Sequence, residues 1–252
     1  MQKIALCFFL FLLFSSCSKK ENDRRILIVT SNQHTYGNSD INASNHFAEI
    51  VLAYDIFIRN GYSVDFISPK GGAIPIGYIS TSNTIEKNYI YDPAFMQLLK
   101  NTKKPQEIDP KNYSAVYYSG GGSAMFGVSE NPQIKKIAEQ IYSQDGIVSA
   151  VCHGTAGIVN LNDKRGIPIY RGKKVTGYPD FFENKEAEYY QTFPFSIEKK
   201  INENNGHFLY TETRNGDFYI VNGNIITGQD PSATQSVARK IVQTLQNKTL
   251  SK

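Results

Sequence analysis

Residues 147–157 read Ile147-Val148-Ser149-Ala150-Val151-Cys152-His153-Gly154-Thr155-Ala156-Gly157. A short apolar run rich in branched residues ends abruptly at the cysteine, and a run of small residues follows it. This pattern predicts a buried parallel strand, a sharp turn and a helix start, which is the geometry of a nucleophile elbow. Small residues after the turn would let the helix and strand approach closely. A helix dipole there would lower the pKa of the Cys152 thiol and raise its thiolate fraction.

Strands and helices alternate on both sides of this turn. Short apolar runs rich in branched residues predict further buried strands, over residues 25–30, 63–68 and 115–119. Apolar residues at helical spacing predict helices, over residues 45–60 with Gly61 as C-cap, 92–100, 131–143 and after an Asp230-Pro231 cap. A hairpin is predicted from residues 208–213 and then 218–221, with Asn222-Gly223 turning into Ile225-Ile226. Regular alternation predicts an α/β fold, a doubly wound, mostly parallel sheet with helices on both faces.

Composition limits the classes to which the protein can belong. The chain has 252 residues, of which 40% are hydrophobic and 20% charged. These values exclude a disordered tail protein, a collagen-like repeat and a coiled coil. The net charge is +4, but the charges alternate in sign without a basic block, so no nucleic-acid partner is expected. We predict a single domain over residues 25–248.

The first residues predict an export signal. One positive charge precedes an apolar run over residues 4–14, which is too short for a membrane-spanning helix of ~20 residues. The small residues before Cys17 resemble a bacterial lipoprotein signal. They predict a signal peptide over residues 1–16, lipidation of Cys17 and a tether over residues 17–24. We therefore expect the protein in the bacterial cell envelope, lipid-anchored on the periplasmic side or at the outer membrane. An ordinary secretory signal with a chance cysteine is the alternative.

Cys152 is the one free thiol that this processing would leave, because Cys7 lies in the removed segment. The backbone N–H of His153 would point into the same space as an oxyanion donor. Gly120-Gly121-Gly122, after the neighbouring strand, would supply a second donor. The alternative is a buried inert cysteine beside a glycine-rich turn. The remaining histidines are expected at the surface or in packing, since no metal-ligand spacing is present; they are His34, His46 and His207.

The stretch Ala150-Val151-Cys152-His153-Gly154 resembles the elbow of the DJ-1/PfpI superfamily, whose fold is flavodoxin-like and class I glutamine-amidotransferase-like. Other segments are similar to the family's motifs in the same order, at residues 26–30, 47–57, 68–75, 119–126, 172–178 and 226–231. The last two are similar to the chaperone and glyoxalase III branch.

The resemblance implies roles for individual residues. Glu49 matches the helix glutamate that contacts the nucleophile and moves protons. Cys152 matches the nucleophile, and His153 matches the adjacent histidine. Glu183 falls where a third acidic residue orients that histidine, and Asp180 is the alternative. The chain also departs from the family pattern, and these departures are Gly122 for a histidine, Phe126 for a tryptophan, and Gly127 and Gly77 for acidic residues.

The resemblance implies a cofactor-free glyoxalase III-like enzyme of the lyase class. It would convert small 2-oxoaldehydes such as methylglyoxal to 2-hydroxy acids through a Cys152 thiolate, with no metal. Its partner would be a small carbonyl substrate, and the resemblance allows a homodimer. Two alternatives stay open: a cysteine amidase or peptidase of the PfpI type, and a non-enzymatic holdase or stress chaperone. A glutamine amidotransferase is disfavoured because no His-x-Glu follows Cys152.

Overall fold

The computed structural model describes residues 25–251. The predicted signal peptide, the lipidation site Cys17 and the tether lie outside the described residues. The predicted domain boundaries, residues 25–248, stay a prediction. Within residues 25–251, no helix has the length and apolar character needed to cross a membrane.

The described residues form ten strands and seven α-helices, joined by short 3₁₀ turns. The strands are β1 (Arg25–Val29), β2 (Asn45–His46), β3 (Ser63–Ile67), β4 (Ile76–Gly77), β5 (Ala115–Tyr118), β6 (Ile147–Val151), β7 (Lys174–Val175), β8 (His207–Phe208), β9 (Tyr219–Asn222) and β10 (Ile225–Gly228). The helices are α1 (Phe47–Arg59), α2 (Thr84–Ile90), α3 (Pro93–Lys100), α4 (Pro132–Ser143), α5 (Glu188–Gln191), α6 (Ile197–Glu203) and α7 (Thr234–Leu250).

A six-stranded sheet lies at the centre, in the order β3-β1-β5-β6-β10-β9. The first five strands in this order pair in parallel, and β9 pairs antiparallel with β10 at the edge. The predicted doubly wound, mostly parallel sheet is confirmed. Because β5 and β6 are parallel neighbours, the loops after them leave the same edge of the sheet. This brings Gly120 to Gly122 next to Cys152.

Both faces of the sheet are buried, as a doubly wound sheet requires. In β1, Leu27 and Val29 pack into the apolar cluster that contains α4, whereas Ile26 and Ile28 pack into the cluster that contains α1 and α7. The alternation follows from the two-residue period of a strand. The predicted helices on both faces are therefore confirmed.

Helix α1 carries Glu49 in its first turn, buried against the sheet. The helix ends at Arg59, and the predicted terminating glycine follows directly after the C-cap residue Asn60. Gly61 has a φ of 79°, its N–H donates to the carbonyl of Ile58 (3.0 Å), and the N–H of Tyr62 donates to that of Phe57 (3.1 Å). This Schellman motif satisfies carbonyls that the end of a helix leaves free.

A strand is predicted over residues 208–213, but the prediction is wrong beyond Phe208, where strand β8 ends. β8 pairs in parallel with β7 instead of entering a hairpin. Farther along, the side-chain amide of Gln229 takes the place of a strand partner. Its Oε1 accepts from the Thr211 N–H (2.7 Å), and its Nε2 donates to the Thr211 carbonyl (3.1 Å). The hairpin between β9 and β10 is confirmed, with Gly223 in its turn at a φ of 61°.

Two predicted helix starts are displaced. The helix predicted from residue 45 begins at Phe47, because Asn45 and His46 pair with β4. The last helix begins at Thr234, because the carboxylate of Asp230 caps a preceding 3₁₀ turn by accepting the Ser232 N–H at 2.9 Å. Both differences leave the apolar faces of the helices where the sequence placed them.

Candidate active site

The chain turns sharply at Cys152, directly after β6. Its φ is 57°, in the left-handed region that residues other than glycine seldom occupy and that is often found at functional sites. The residues that follow form a 3₁₀ helix, Cys152–Ile158, instead of the predicted α-helix start. A Cβ at Gly154 would lie 2.3 Å from the carbonyl oxygen of Tyr118. The predicted close approach of turn and strand is therefore confirmed.

Three of the predicted residues form a linked chain. The Nδ1 atom of His153 lies 3.6 Å from the Cys152 sulfur, and its Nε2 lies 2.7 Å from Oε1 of Glu183. The hydroxyl of Tyr189 donates to the other carboxylate oxygen of Glu183 at 3.0 Å. The His153 ring also stacks on Tyr178, with ring centroids 4.5 Å apart. This arrangement holds the histidine between a thiol and a carboxylate, as an activated nucleophile requires.

Glu183, and not Asp180, is the carboxylate that orients His153. Asp180 accepts instead from the hydroxyl of Ser196, with both carboxylate oxygens 2.8 Å from that hydroxyl. It thereby joins the start of α6 to the 3₁₀ turn Asp180–Phe182. The Glu183 side chain is nearly inaccessible to solvent, and its partners are the His153 imidazole and the Tyr189 hydroxyl.

Glu49 reaches the site from the first turn of α1. Its Oε2 accepts the Gly120 N–H at 2.7 Å. A Cβ at Gly120 would lie 2.9 Å from this Oε2 and 3.0 Å from the Cys152 Cβ, so only glycine lets the carboxyl and the cysteine come together. The Oε1 atom is buried without a geometrically regular hydrogen bond among the described residues. Burial raises the pKa of Glu49 to about 8, although hydrogen bonds from the Gly120 N–H and the Cys152 thiol partly oppose this rise.

The expectation of a low thiol pKa at Cys152 is wrong in these surroundings. Burial and the negative charge of Glu49 raise the pKa of Cys152 well above its ordinary value, and the His153 backbone N–H only partly opposes them. The short 3₁₀ helix after the cysteine offers little dipole to overcome these effects. The thiol is therefore protonated at neutral pH and needs a base, and His153 Nδ1 is in place to accept its proton.

The predicted oxyanion donors lie at one wall of the site. Gly121, Gly122 and His153 all line the pocket that contains Cys152. Among residues 25–251, no hydrogen bond occupies the N–H groups of Gly121 or Gly122, whereas the Gly120 N–H is taken by Glu49. The N–H groups of Gly121 and Gly122 therefore remain the predicted oxyanion donors. The catalytic roles of all these residues stay predictions.

A tyrosine fills the space beside Gly122, where the family pattern has a histidine. A Cβ at Gly122 would lie 2.1 Å from the hydroxyl of Tyr36. The Tyr36 ring packs against Tyr189 and, edge-on, against Phe126, with centroids 5.3 and 6.4 Å apart. Its hydroxyl lies 3.4 Å from that of Tyr78. The change to glycine therefore accommodates an aromatic cluster that supports the histidine side of the pocket.

The pocket has a volume of about 230 Å³ and is shared by residues that the sequence did not assign to it. These residues are His46, Tyr78, Tyr178, Phe182, Arg214, Asn215, Asp230 and Pro231. His46, which is expected at the surface or in packing, is packed against Tyr78 and also lines the pocket. The sequence signal that could have assigned His46 to the pocket is its position three residues before Glu49. In the described part of the chain, no group of three or more His, Cys, Asp and Glu side chains could hold a metal ion.

A family model described as the DJ-1/PfpI family matches residues 44–244. The chain belongs to the DJ-1/PfpI family. The Candida albicans protein named Glyoxalase 3 is 28% identical over 226 residues, which cover 86% of this chain and 96% of that protein.

Solved structures give the same result as the family model. The crystal structure of glyoxalase III from Candida albicans has a TM-score of 0.80 at 25% identity, covering 88% of this chain and 97% of that one. The Rapid Encystment Protein 24 KDa of Francisella tularensis has a TM-score of 0.82 at 27% identity, and the match covers 88% of this chain and 99% of that one. The predicted family and its glyoxalase III branch are confirmed.

Proposed function

We propose that this DJ-1/PfpI protein is a glutathione-independent glyoxalase that converts small 2-oxoaldehydes to 2-hydroxy acids. The observation that carries the proposal is the buried carboxyl of Glu49, which meets Cys152 across Gly120. It lies beside a nucleophile that already has its own base in His153. The names of the relatives, Glyoxalase 3 among them, support the same reaction.

Addition of the thiol to the aldehyde is the first step. His153 Nδ1 accepts the thiol proton, and Glu183 stabilises the imidazolium through Nε2. The sulfur then attacks the aldehyde carbon, a C–S bond forms, and the π pair of the carbonyl moves to its oxygen. That oxygen takes the proton from the imidazolium, which leaves a hemithioacetal on Cys152.

Proton transfer between the two carbons is the second step. The Glu49 carboxylate removes the proton from the former aldehyde carbon, the C–H pair becomes a C=C bond, and the ketone π pair moves to its oxygen. The C=C pair then takes the proton back from Glu49 at the former ketone carbon. The hydroxyl on the former aldehyde carbon becomes the thioester carbonyl. Its proton passes to the alkoxide oxygen on the former ketone carbon. A base with a pKa of about 8 suits this work near neutral pH.

Hydrolysis completes the cycle. Water attacks the thioester carbon with His153 as the base, the C–S bond breaks, and the sulfur leaves with a proton. The former aldehyde carbon is oxidised and the former ketone carbon is reduced, so the sum is one 2-oxoaldehyde and one water giving one 2-hydroxy acid. No external oxidant or reductant enters the balance.

The proposal is tested with the purified protein and methylglyoxal in the absence of glutathione, by measuring loss of substrate and formation of lactate. Cys152→Ser should remove nearly all turnover because it removes the nucleophile. Glu49→Gln should also remove nearly all turnover because it removes the positioned base, whose proton transfer contributes about 10²–10⁴-fold. Glu86→Gln is a matched control, because Glu86 is a buried carboxylate on α2 that accepts the Ser80 N–H and does not line the pocket.

Three outcomes would contradict the proposal. Wild-type turnover in Glu49→Gln together with loss in Cys152→Ser would refute the isomerase mechanism. It would favour a cysteine amidase or peptidase, which needs the thiol, the imidazole and Glu183 but no second buried carboxyl. Turnover that neither substitution affects, or no turnover in the wild type, would favour a non-enzymatic role such as a holdase.

A further inference from the structure

His46 lies in the pocket although the steps above give it no task. It directly precedes α1, and its backbone N–H donates to the Gly120 carbonyl at 2.9 Å. Its ring is stacked on that of Tyr78, with centroids 4.8 Å apart and planes 3° from parallel. The ring is therefore fixed in place on the wall of the cavity that contains Cys152 and His153.

The two ring nitrogens of His46 have different surroundings. Nδ1 is fully enclosed and has no hydrogen-bond partner among the described residues. Nε2 is not enclosed in this way, and no described side chain or backbone group bonds to it. A buried N–H without an acceptor is rarer in proteins than a buried acceptor without a donor. The proton of the neutral ring therefore belongs on Nε2, which makes Nε2–H a free donor toward the pocket.

The His46 ring is neutral at physiological pH. Burial and the neighbouring His153 lower the pKa of His46 to about 4. A histidine kept neutral in this way can polarise a carbonyl without losing its proton. Two other polar side chains of the pocket have partners of their own, since the Tyr78 hydroxyl lies 3.4 Å from that of Tyr36 and Arg214 donates to Tyr178 and to the Phe182 carbonyl.

We infer that His46 is a further catalytic residue, whose Nε2–H donates to the ketone oxygen of a 2-oxoaldehyde and to the enediolate oxygen derived from it. The substrate has two adjacent oxygens. The backbone N–H groups of His153, Gly121 and Gly122 suit the oxygen on the carbon that sulfur attacks. The second oxygen becomes negative during proton transfer and needs its own donor. This inference rests on the proposed glyoxalase function.

The test compares three substitutions in the full protein. His46→Phe keeps a flat ring against Tyr78 but removes the donor, and should lower kcat/KM for methylglyoxal by about 10²–10³-fold, the effect of losing one oxyanion donor. The amide nitrogen of Gln reaches the place of Nε2, whereas that of Asn reaches only the place of Nδ1. His46→Gln should therefore retain at least tenfold more activity than His46→Asn. Should the Phe variant not fold, this pair still decides the question.

A second readout separates catalysis from folding. The rate at which methyl methanethiosulfonate modifies Cys152 needs no carbonyl oxygen, so it should stay within about threefold of the wild-type rate in His46→Gln and His46→Asn. A wild type that turns over methylglyoxal, with all His46 variants within threefold of it, would overturn the inference and leave the glyoxalase proposal standing. A wild type with reactive Cys152 but no turnover would refute the glyoxalase proposal and this inference with it.

Discussion

Glu49→Gln should stabilise the protein while it removes activity. Burial raises the pKa of this carboxyl from 4.5 to about 8. Between these values the folded state holds a proton on Glu49 that the unfolded state has released, so the contribution of Glu49 to stability falls as the pH rises through this window and is level above it. Glutamine keeps the acceptor for the Gly120 N–H and has no charge to bury.

The size of the effect follows from the same pKa. At about 1.36 kcal/mol for each pH unit, the cost of holding Glu49 is roughly 0.7 kcal/mol at pH 5 and ~3 kcal/mol at pH 7. These values are the upper limits of the gain expected in the variant. For a chain of this size, 1 kcal/mol corresponds to about 2–4 °C in Tm. We therefore expect a gain of up to ~6–12 °C at pH 7.

Thermal unfolding of the wild type and the variant, followed by circular dichroism at pH 5, 7 and 9, measures this difference. The gap between the two proteins in free energy of unfolding should be larger at pH 7 than at pH 5 and larger again at pH 9. Glu86→Gln, measured alongside, gives the effect of neutralising a buried carboxylate that lies away from Cys152. A Glu49→Gln variant that is no more stable than the wild type at pH 7 and 9 would refute the reasoning, because Glu49 would then bear its charge without cost.

Three further predictions concern other parts of the chain. Glu183→Gln should lower kcat for methylglyoxal by about 10³–10⁴-fold, as loss of an orienting carboxylate does; Asp180→Asn should stay near wild type, and equal losses in both would deny Glu183 its role. Alkylation of Cys152 by iodoacetamide should show a midpoint above the free value of about 8.5, and a lower midpoint in Glu49→Gln; a wild-type midpoint below 8.5 would contradict the effect of burial. We also propose that Cys17 is lipidated in a bacterial envelope. Cys17→Ala should accumulate unprocessed precursor without lipid label, and normal processing of that variant would refute the proposal.

The sequence predicted those parts of the fold that local pattern controls. Branched apolar runs and helical spacing are direct consequences of burial on both faces of a sheet. These patterns were sufficient to predict the doubly wound, mostly parallel sheet, helix α1 and the turn at Cys152. The prediction at residues 208–213 was wrong because a side chain, Gln229, supplies the hydrogen bonds that a strand would have supplied. Pattern alone does not distinguish the two kinds of partner.

What the sequence by itself determined is which groups meet at the candidate site: a thiol after a buried strand, an adjacent imidazole, and a glutamate on the first helix. Only the tertiary structure decided how these groups behave. It selected Glu183 over Asp180, turned the expected low pKa of Cys152 into a raised one, and brought His46 to the pocket wall. The physical reason is that the pKa of a buried group depends on its distance to charges and water. Those distances are set by packing between elements far apart in the chain.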